Sequence, residues 1–157
     1  MKARAKPAKA AKPLWVCSRC RRSFASRNQW HSCNVQTLDT HFAGRPAALR
    51  ALFNQLRNHV RGCGPSSVNP VKSAIIFQVR KGFMGVKVLR DKLRVGFLLT
   101  RRIEHPRLFD IEVLSARKVA HHVWLASAAD LDAEFLAWVR EARAAGEQGP
   151  LKGRDKP

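Results

Sequence analysis

The sequence predicts an α+β fold: an antiparallel sheet of about four or five strands with helices packed on one face, preceded by a small zinc-ribbon or finger-like element. Three observations carry this reading. Leu49, Leu52, Phe53, Leu56 and Val60 recur at i, i+3, i+4, i+7 and i+11, the period of one apolar helix face. Between residues 73 and 125 the chain instead alternates apolar and polar positions in short runs, the period of half-buried strands. Near the start, Cys17-x2-Cys20 is followed after twelve residues by Cys33, the spacing of ligands for one tetrahedral zinc ion.

The elements follow in order. Residues 1–13, MKARAKPAKAAKP, alternate Ala, Lys and Pro with no apolar run after them. They predict a disordered basic arm and not a secretory signal. Residues 14–36 form the metal element. The α+β domain spans 37–146, opening with a helical turn at TLDTHFAG. Pro46 suits the first position of the long helix, and Gly62 to Pro65 ends it. Strands are expected over 73–81, 83–89, 93–102, 108–114 and 118–125. In the third, Leu93, Val95, Phe97 and Leu99 point one way while Arg94, Leu98, Thr100 and Arg102 point the other. Ser127 is expected to cap the last helix, with Asp130 supporting its N-terminus and Leu131, Phe135, Leu136, Trp138, Val139 and Ala142 as its buried stripe. Residues 147–157 read as a disordered tail.

The metal element is too short to bury a core of its own, so its folding depends on the ion. Phe24 and Trp30 are the apolar residues expected to sit inside it. Two histidines compete for the fourth position. His31 gives C-x2-C-x10-H-x-C, and His41 gives C-x2-C-x12-C-x7-H. On a continuous helix His41 would lie about 12 Å beyond Cys33, too far for ligands that sit about 2.0–2.3 Å from one ion. His31 is therefore favoured, given a turn at HSC. The competing reading is a reduced thiol pair or a disulfide, disfavoured in a chain without an export signal. Cys63, between Gly62 and Gly64, reads as a free thiol.

Charge narrows the partner class. The chain carries 30 Lys and Arg against 11 acidic residues, a net +19. Five of those charges fall in residues 1–13, four in residues 14–34 and nine on residues 35–146, so the excess is spread over the folded body. Arg19, Arg21, Arg22 and Arg27 lie in the metal element, where there is no acidic residue from Leu14 to Asn34. Nucleic acid, DNA or RNA, or another polyanion is the natural partner, because each neutralised phosphate releases counterions. The bland alternative is a merely basic protein. No stretch approaches eighteen apolar residues, so no membrane span is expected. Free thiols at metal spacing point to a reducing cytoplasm.

The segments LWVCSRCRRSFASRNQWHSC, HFAGRPAALRALF, AIIFQVRKGFMGV, VGFLLTRRIEHPR and DLDAEFLAWVREA resemble the bacterial domain of unknown function 5655 family. The resemblance runs from about Leu14 to Ala145. It implies a compact α+β domain of a ligand-binding type with no assigned activity, and an N-terminal C-x2-C…HSC element in which His31 is the ligand. The glycine usual after the second cysteine is replaced by Arg21.

Nothing in the sequence advertises catalysis. There is no Tyr, no Gly-rich phosphate loop, no GxSxG and no paired carboxylates at a catalytic spacing. Asp130, Asp132 and Glu134 read as an acidic helix start. His121, alternating inward with Val119, Val123 and Leu125, reads first as a core histidine. A second reading places a small-anion or nucleotide pocket on the uncovered sheet, with Arg80, Phe83, Arg102, Lys118, His121 and Trp124 around it. Basic groups interleaved with aromatics can hold phosphates and stack bases. The sequence thus predicts a non-enzymatic zinc protein, nucleic-acid-binding or a regulatory adaptor. A small-ligand domain with structural zinc is the alternative.

Overall fold

A computed structural model describes residues 13–31, 33 and 36–147. The expected arm and tail therefore lie outside the described residues, except for Pro13 and Glu147. The chain begins with a two-stranded antiparallel ribbon, β1 (Trp15–Val16) and β2 (Ser23–Phe24). Next come α1 (Leu38–Phe42) and α2 (Ala47–Cys63), followed by β3 (Ser67–Pro70), β4 (Ile75–Gln78), β5 (Gly82–Val88), β6 (Leu93–Leu99), β7 (Asp110–Ser115) and β8 (Lys118–Leu125). A 3-10 turn over Ala128–Asp130 leads into α3 (Ala133–Glu147). The six later strands form one antiparallel sheet in the order β3-β4-β5-β6-β8-β7.

Period-two alternation sorts the sheet into two faces. Ile75 pairs with Val86, Phe77 with Met84, Met84 with Phe97, Val95 with Val123 and Leu93 with Leu125, all buried. This inner face receives Leu49, Leu52, Phe53, Leu56 and Val60 from α2, and Phe135, Trp138, Val139 and Ala142 from α3. Fully burying one such side chain stabilises by about 1.5–3 kcal/mol. The outer face carries Ile76, Gly85, Lys87, Arg94, Gly96, Ala120, His122 and Trp124.

The structure has one strand more than expected. The sequence of β3, SVNP, has no alternation to betray it, and Pro70 lacks the N–H an interior ladder needs, so it occupies the edge beside β4. At the other edge, Asp110 and Glu112 of β7 are exposed charges that discourage further pairing. β4 stops at Gln78 because the ladder shifts register between Phe77 and Gln78, and the chain then turns through Val79 N–H to Lys81 C=O. Pro46 is the N-cap of α2 and not its first residue, and α2 runs on through Gly62 to Cys63.

The last helix begins later than expected. Ser127 and Asp130 form a reciprocal capping box around the 3-10 turn. Asp132 then caps α3, accepting from the Phe135 N–H at 2.8 Å. Leu131 and Leu136 are only half-buried. A clamp unread in the sequence joins the two long helices. Arg143 of α3, buried, donates to the Pro65 carbonyl at 2.8 Å, and a Cβ at Gly64 would meet its guanidinium at 2.6 Å. Gly64 also sits at φ +136°, which only glycine adopts freely.

Candidate metal centre and basic cleft

The ribbon folds as a knuckle. The Cys17 N–H donates to the Arg22 carbonyl and the Arg21 N–H to the Cys17 carbonyl, both at 2.9 Å, closing the turn that carries Cys20. Arg21 stands at φ +63°, in the left-handed region that glycine normally fills. Asn28, at φ +53°, turns the chain back toward His31.

Cys17, Cys20, His31 and Cys33 each offer one ligand atom, and those atoms lie within 4.8 Å of one another. Cys17 Sγ and Cys33 Sγ are 3.8 Å apart, and His31 Nε2 is 3.3 Å from Cys20 Sγ and 3.4 Å from Cys33 Sγ. A tetrahedral ion bound at about 2.3 Å to sulfur and 2.0–2.1 Å to nitrogen requires edges of about 3.8 and 3.6 Å. These three edges lie close to that requirement, and the four side chains can hold a metal ion. His41 takes no part: its Nε2 meets the Val71 carbonyl at 2.7 Å, away from the cluster.

The surroundings prepare the ligands. His31 Nδ1–H donates to the Gln29 carbonyl at 2.7 Å, which leaves Nε2 free to ligate and raises the imidazole's basicity. The His31 ring stacks on Phe24 at 4.2 Å and meets Trp15 edge-on at 5.9 Å. The Cys17 thiol is lowered, chiefly by the Cys20 backbone N–H. At Cys20, burial works against ionisation, but the Arg22 backbone N–H and the neighbouring thiol and imidazole bring it down to about 6. Burial and these neighbours push Cys33 the other way. Three sulfurs so close together repel one another as thiolates, and a cation among them relieves that repulsion.

Trp30 departs from expectation. Phe24 is buried, but Trp30 is 91% exposed. With His31 turned in onto Phe24, the residue before it is left in solvent.

The element is tied to the sheet. Gln78 Nε2 donates to the Ser23 carbonyl at 2.6 Å, and Asn69 Nδ2 reaches Gln78 Oε1 at 3.3 Å. Between them lies a cleft of about 400 Å³. Arg22, Ser26 and Gln29 line it from the metal element, and Asn69, Arg80, Lys81 and Lys118 from the sheet. No acidic residue lines it. Of the four finger arginines only Arg22 reaches this cleft; Arg19, Arg21 and Arg27 are exposed elsewhere on the element.

The expected sheet pocket is dispersed. Arg80 and Lys118 reach the cleft, but Phe83 is buried beneath the end of α3, where a Cβ on Gly146 would lie 3.1 Å from its own Cβ. Arg102 pairs with Glu104 at 3.4 Å. His121 is fully buried; its Nε2 accepts from the Ile103 N–H at 3.0 Å, its ring stacks on Phe97, and burial lowers its pKa. Trp124 lies on the outer face, stacked on Phe109 at 4.0 Å, with Lys92 over its ring at 4.3 Å. Acids and histidines near the start of α3 are engaged in structure. His105 accepts from the Arg107 N–H and meets Glu134 at 3.2 Å, and Asp132 meets Arg107 at 3.0 Å. The register could have put Arg80 and Lys118 on one end of the sheet, but nothing local in the sequence joins Arg22 to them. Lys81 and Gln29 went unread for the same reason.

Among the described residues, no helix is long and apolar enough to cross a membrane. The pattern of the domain of unknown function (DUF5655) matches residues 38–143, beginning after the metal cluster. No curated protein and no solved structure matches the chain.

Proposed function

We propose, for a chain that belongs to this family of domains of unknown function, a non-enzymatic cytoplasmic zinc protein that binds nucleic acid. Zinc is the ion we assign to the cluster, because three thiolates and one imidazole in a tetrahedron suit a borderline-soft d¹⁰ cation. With all four positions filled by protein, such an ion has no open site for substrate and serves structure.

The observation that carries the reading is the acid-free cleft in which Arg22 of the metal element converges with Arg80, Lys81 and Lys118 of the sheet. A net +19 chain that gathers cations from two folded units suits a phosphate backbone. The cleft volume also favours a second reading, a small anion or nucleotide, since pockets of about 300–1,000 Å³ take small ligands.

Binding to duplex DNA, structured RNA and free nucleotides over a salt series separates the two. Polyanion binding should weaken steeply with salt, by about 0.9 units of log–log slope per phosphate contacted on a duplex. Replacing Arg22, Arg80, Lys81 and Lys118 with Ala should flatten that slope. Nucleotide binding with a shallow salt response, and no polyanion binding, would replace our reading with the second.

A further inference from the structure

We infer that Trp30 is a stacking platform for an unpaired nucleobase, so that the nucleic acid taken by this protein is single-stranded. The inference rests on the nucleic-acid reading above and adds the strand form to it.

Trp30 is the largest apolar side chain left open among the described residues: it is 91% exposed, against 39% for Phe109. Exposing an indole costs the fold the burial it would otherwise gain, so a ring held outward has to be accounted for. Here it is held from both sides. The next residue, His31, is a metal ligand stacked on Phe24 at 4.2 Å. The residue before it, Gln29, gives its carbonyl to His31 Nδ1 at 2.7 Å. Backbone on each side of Trp30 is thus restrained by the cluster, so little backbone ordering entropy remains to be lost when a ligand docks.

The chemistry around the ring specifies the partner. Arg19, Arg21, Arg22 and Arg27 share its element, which holds no acidic residue from Leu14 to Asn34. Gln29, the residue before it in the chain, lines the cationic cleft, so the indole stands one residue from a wall of the site that Arg22, Arg80, Lys81 and Lys118 offer to phosphates. Nucleobases offer a π-face to such a ring only when unpaired and splayed from a helix, and stacking of this kind tolerates any base. The aromatic pair on the outer sheet is less suited. Trp124 is already covered by Phe109 at 4.0 Å on one side and Lys92 at 4.3 Å on the other. Trp30 is therefore the platform.

The test uses the zinc-loaded full chain, a labelled dT12 and a labelled 12-base-pair duplex at fixed low salt. The parent should bind dT12 more tightly than duplex, with part of its tryptophan fluorescence quenched. Trp30→Ala should lose roughly 5- to 100-fold for dT12, as for one stacked base, and change little for duplex. Trp30→Phe should recover most of the affinity but not the quenching. Zinc content of each variant confirms that the element is folded. If Trp30→Ala binds dT12 as the parent does, the stacking role is wrong and the exposed indole is better sought as a protein-docking point. Equal losses on dT12 and duplex would also overturn it. A parent that binds neither oligonucleotide refutes the nucleic-acid reading itself, whereas a parent that binds both equally refutes only this inference.

Discussion

The metal element and the sheet domain carry the same sign of charge but are held together by opposite means. In the domain, a cluster from Phe42 to Ala142 is packed between two helices and six strands, and its aromatic rings touch in series: Phe42 to Phe53, Phe53 to Phe77, Phe77 to Phe83. Among the described residues of the element, only Cys17 and Phe24 are buried apolar groups. One region is stabilised by area removed from water, whereas the other brings four atoms able to ligate a metal within 4.8 Å of one another. The smaller region can therefore leave its arginines and a tryptophan exposed, because its fold does not depend on burying them.

Metal removal should test this contrast most severely. Structural zinc in finger-like peptides contributes apparent free energies of about 10–16 kcal/mol at neutral pH, all of it as folding energy. Chelation should unfold the ribbon while far-ultraviolet circular dichroism retains most of its helix and sheet signal. His31→Ala should lose stoichiometric zinc in elemental analysis, and His41→Ala should keep it. Collapse of the whole spectrum on chelation would mean that the element is part of the domain's core.

The converse disturbance belongs to the core. Phe53 is fully buried between Phe42, 5.3 Å away, and Phe77, 5.9 Å away. Phe53→Ala should cost about 3–5 kcal/mol in denaturant melts. Zinc stoichiometry of the protein that remains folded should not change, and a parallel loss of zinc would erase the distinction between the regions.

Acid supplies a smaller, graded test. Burial lowers the pKa of His121 and of His122 below the ordinary 6.5. The unfolded chain then takes up protons that the folded one refuses, so stability is greatest above about pH 6.5 and falls as pH drops below it. The slope is at most about 1.4 kcal/mol per pH unit for each histidine. His121→Gln should flatten the acid limb of the stability curve relative to the parent, the metal centre being common to both. An unchanged slope would show that His121 accepts a proton in the fold.

The smallest effect is local to the knuckle. Arg21 holds φ +63°, which costs a non-glycine residue about 1–2 kcal/mol. Arg21→Gly removes that strain but frees the unfolded chain, so the zinc-bound element should gain about 1 kcal/mol or less. The measurement is competition for zinc against a chelator; weaker retention by the glycine variant would mean that the arginine side chain stabilises the turn.

What could be read in advance follows periodicity. The strand expected over residues 118–125 matches β8, and the apolar face from Leu49 to Val60 is the buried face of α2, since both patterns are long and in phase with one element type. The cluster of Cys17, Cys20, His31 and Cys33 is legible because its members lie close in sequence, although spacing alone leaves His41 as a rival to His31. β3 was not, because it forms only by pairing with β4. Phe83 alternates like an outward residue, yet the register shift at Phe77 and Gln78 turns it under α3. Trp30 was expected inside on composition; only the inward turn of His31 shows that it cannot be. The cleft depends on Arg22 lying near Arg80 and Lys118, a long-range meeting that no local pattern encodes.

The 2.6 Å bond from Gln78 to Ser23 has a thermodynamic corollary. A cleft with one wall from the metal element and one from the sheet exists only while both are in place. On the function proposed above, an occupant of the cleft and an ion in the cluster would be heterotropic ligands of a single equilibrium. Whatever factor the ion adds to the occupant's affinity, the occupant must return to the ion's. Zinc titrated with and without saturating oligonucleotide should show equal and reciprocal gains. The availability of zinc would in that way set how strongly the protein holds its partner.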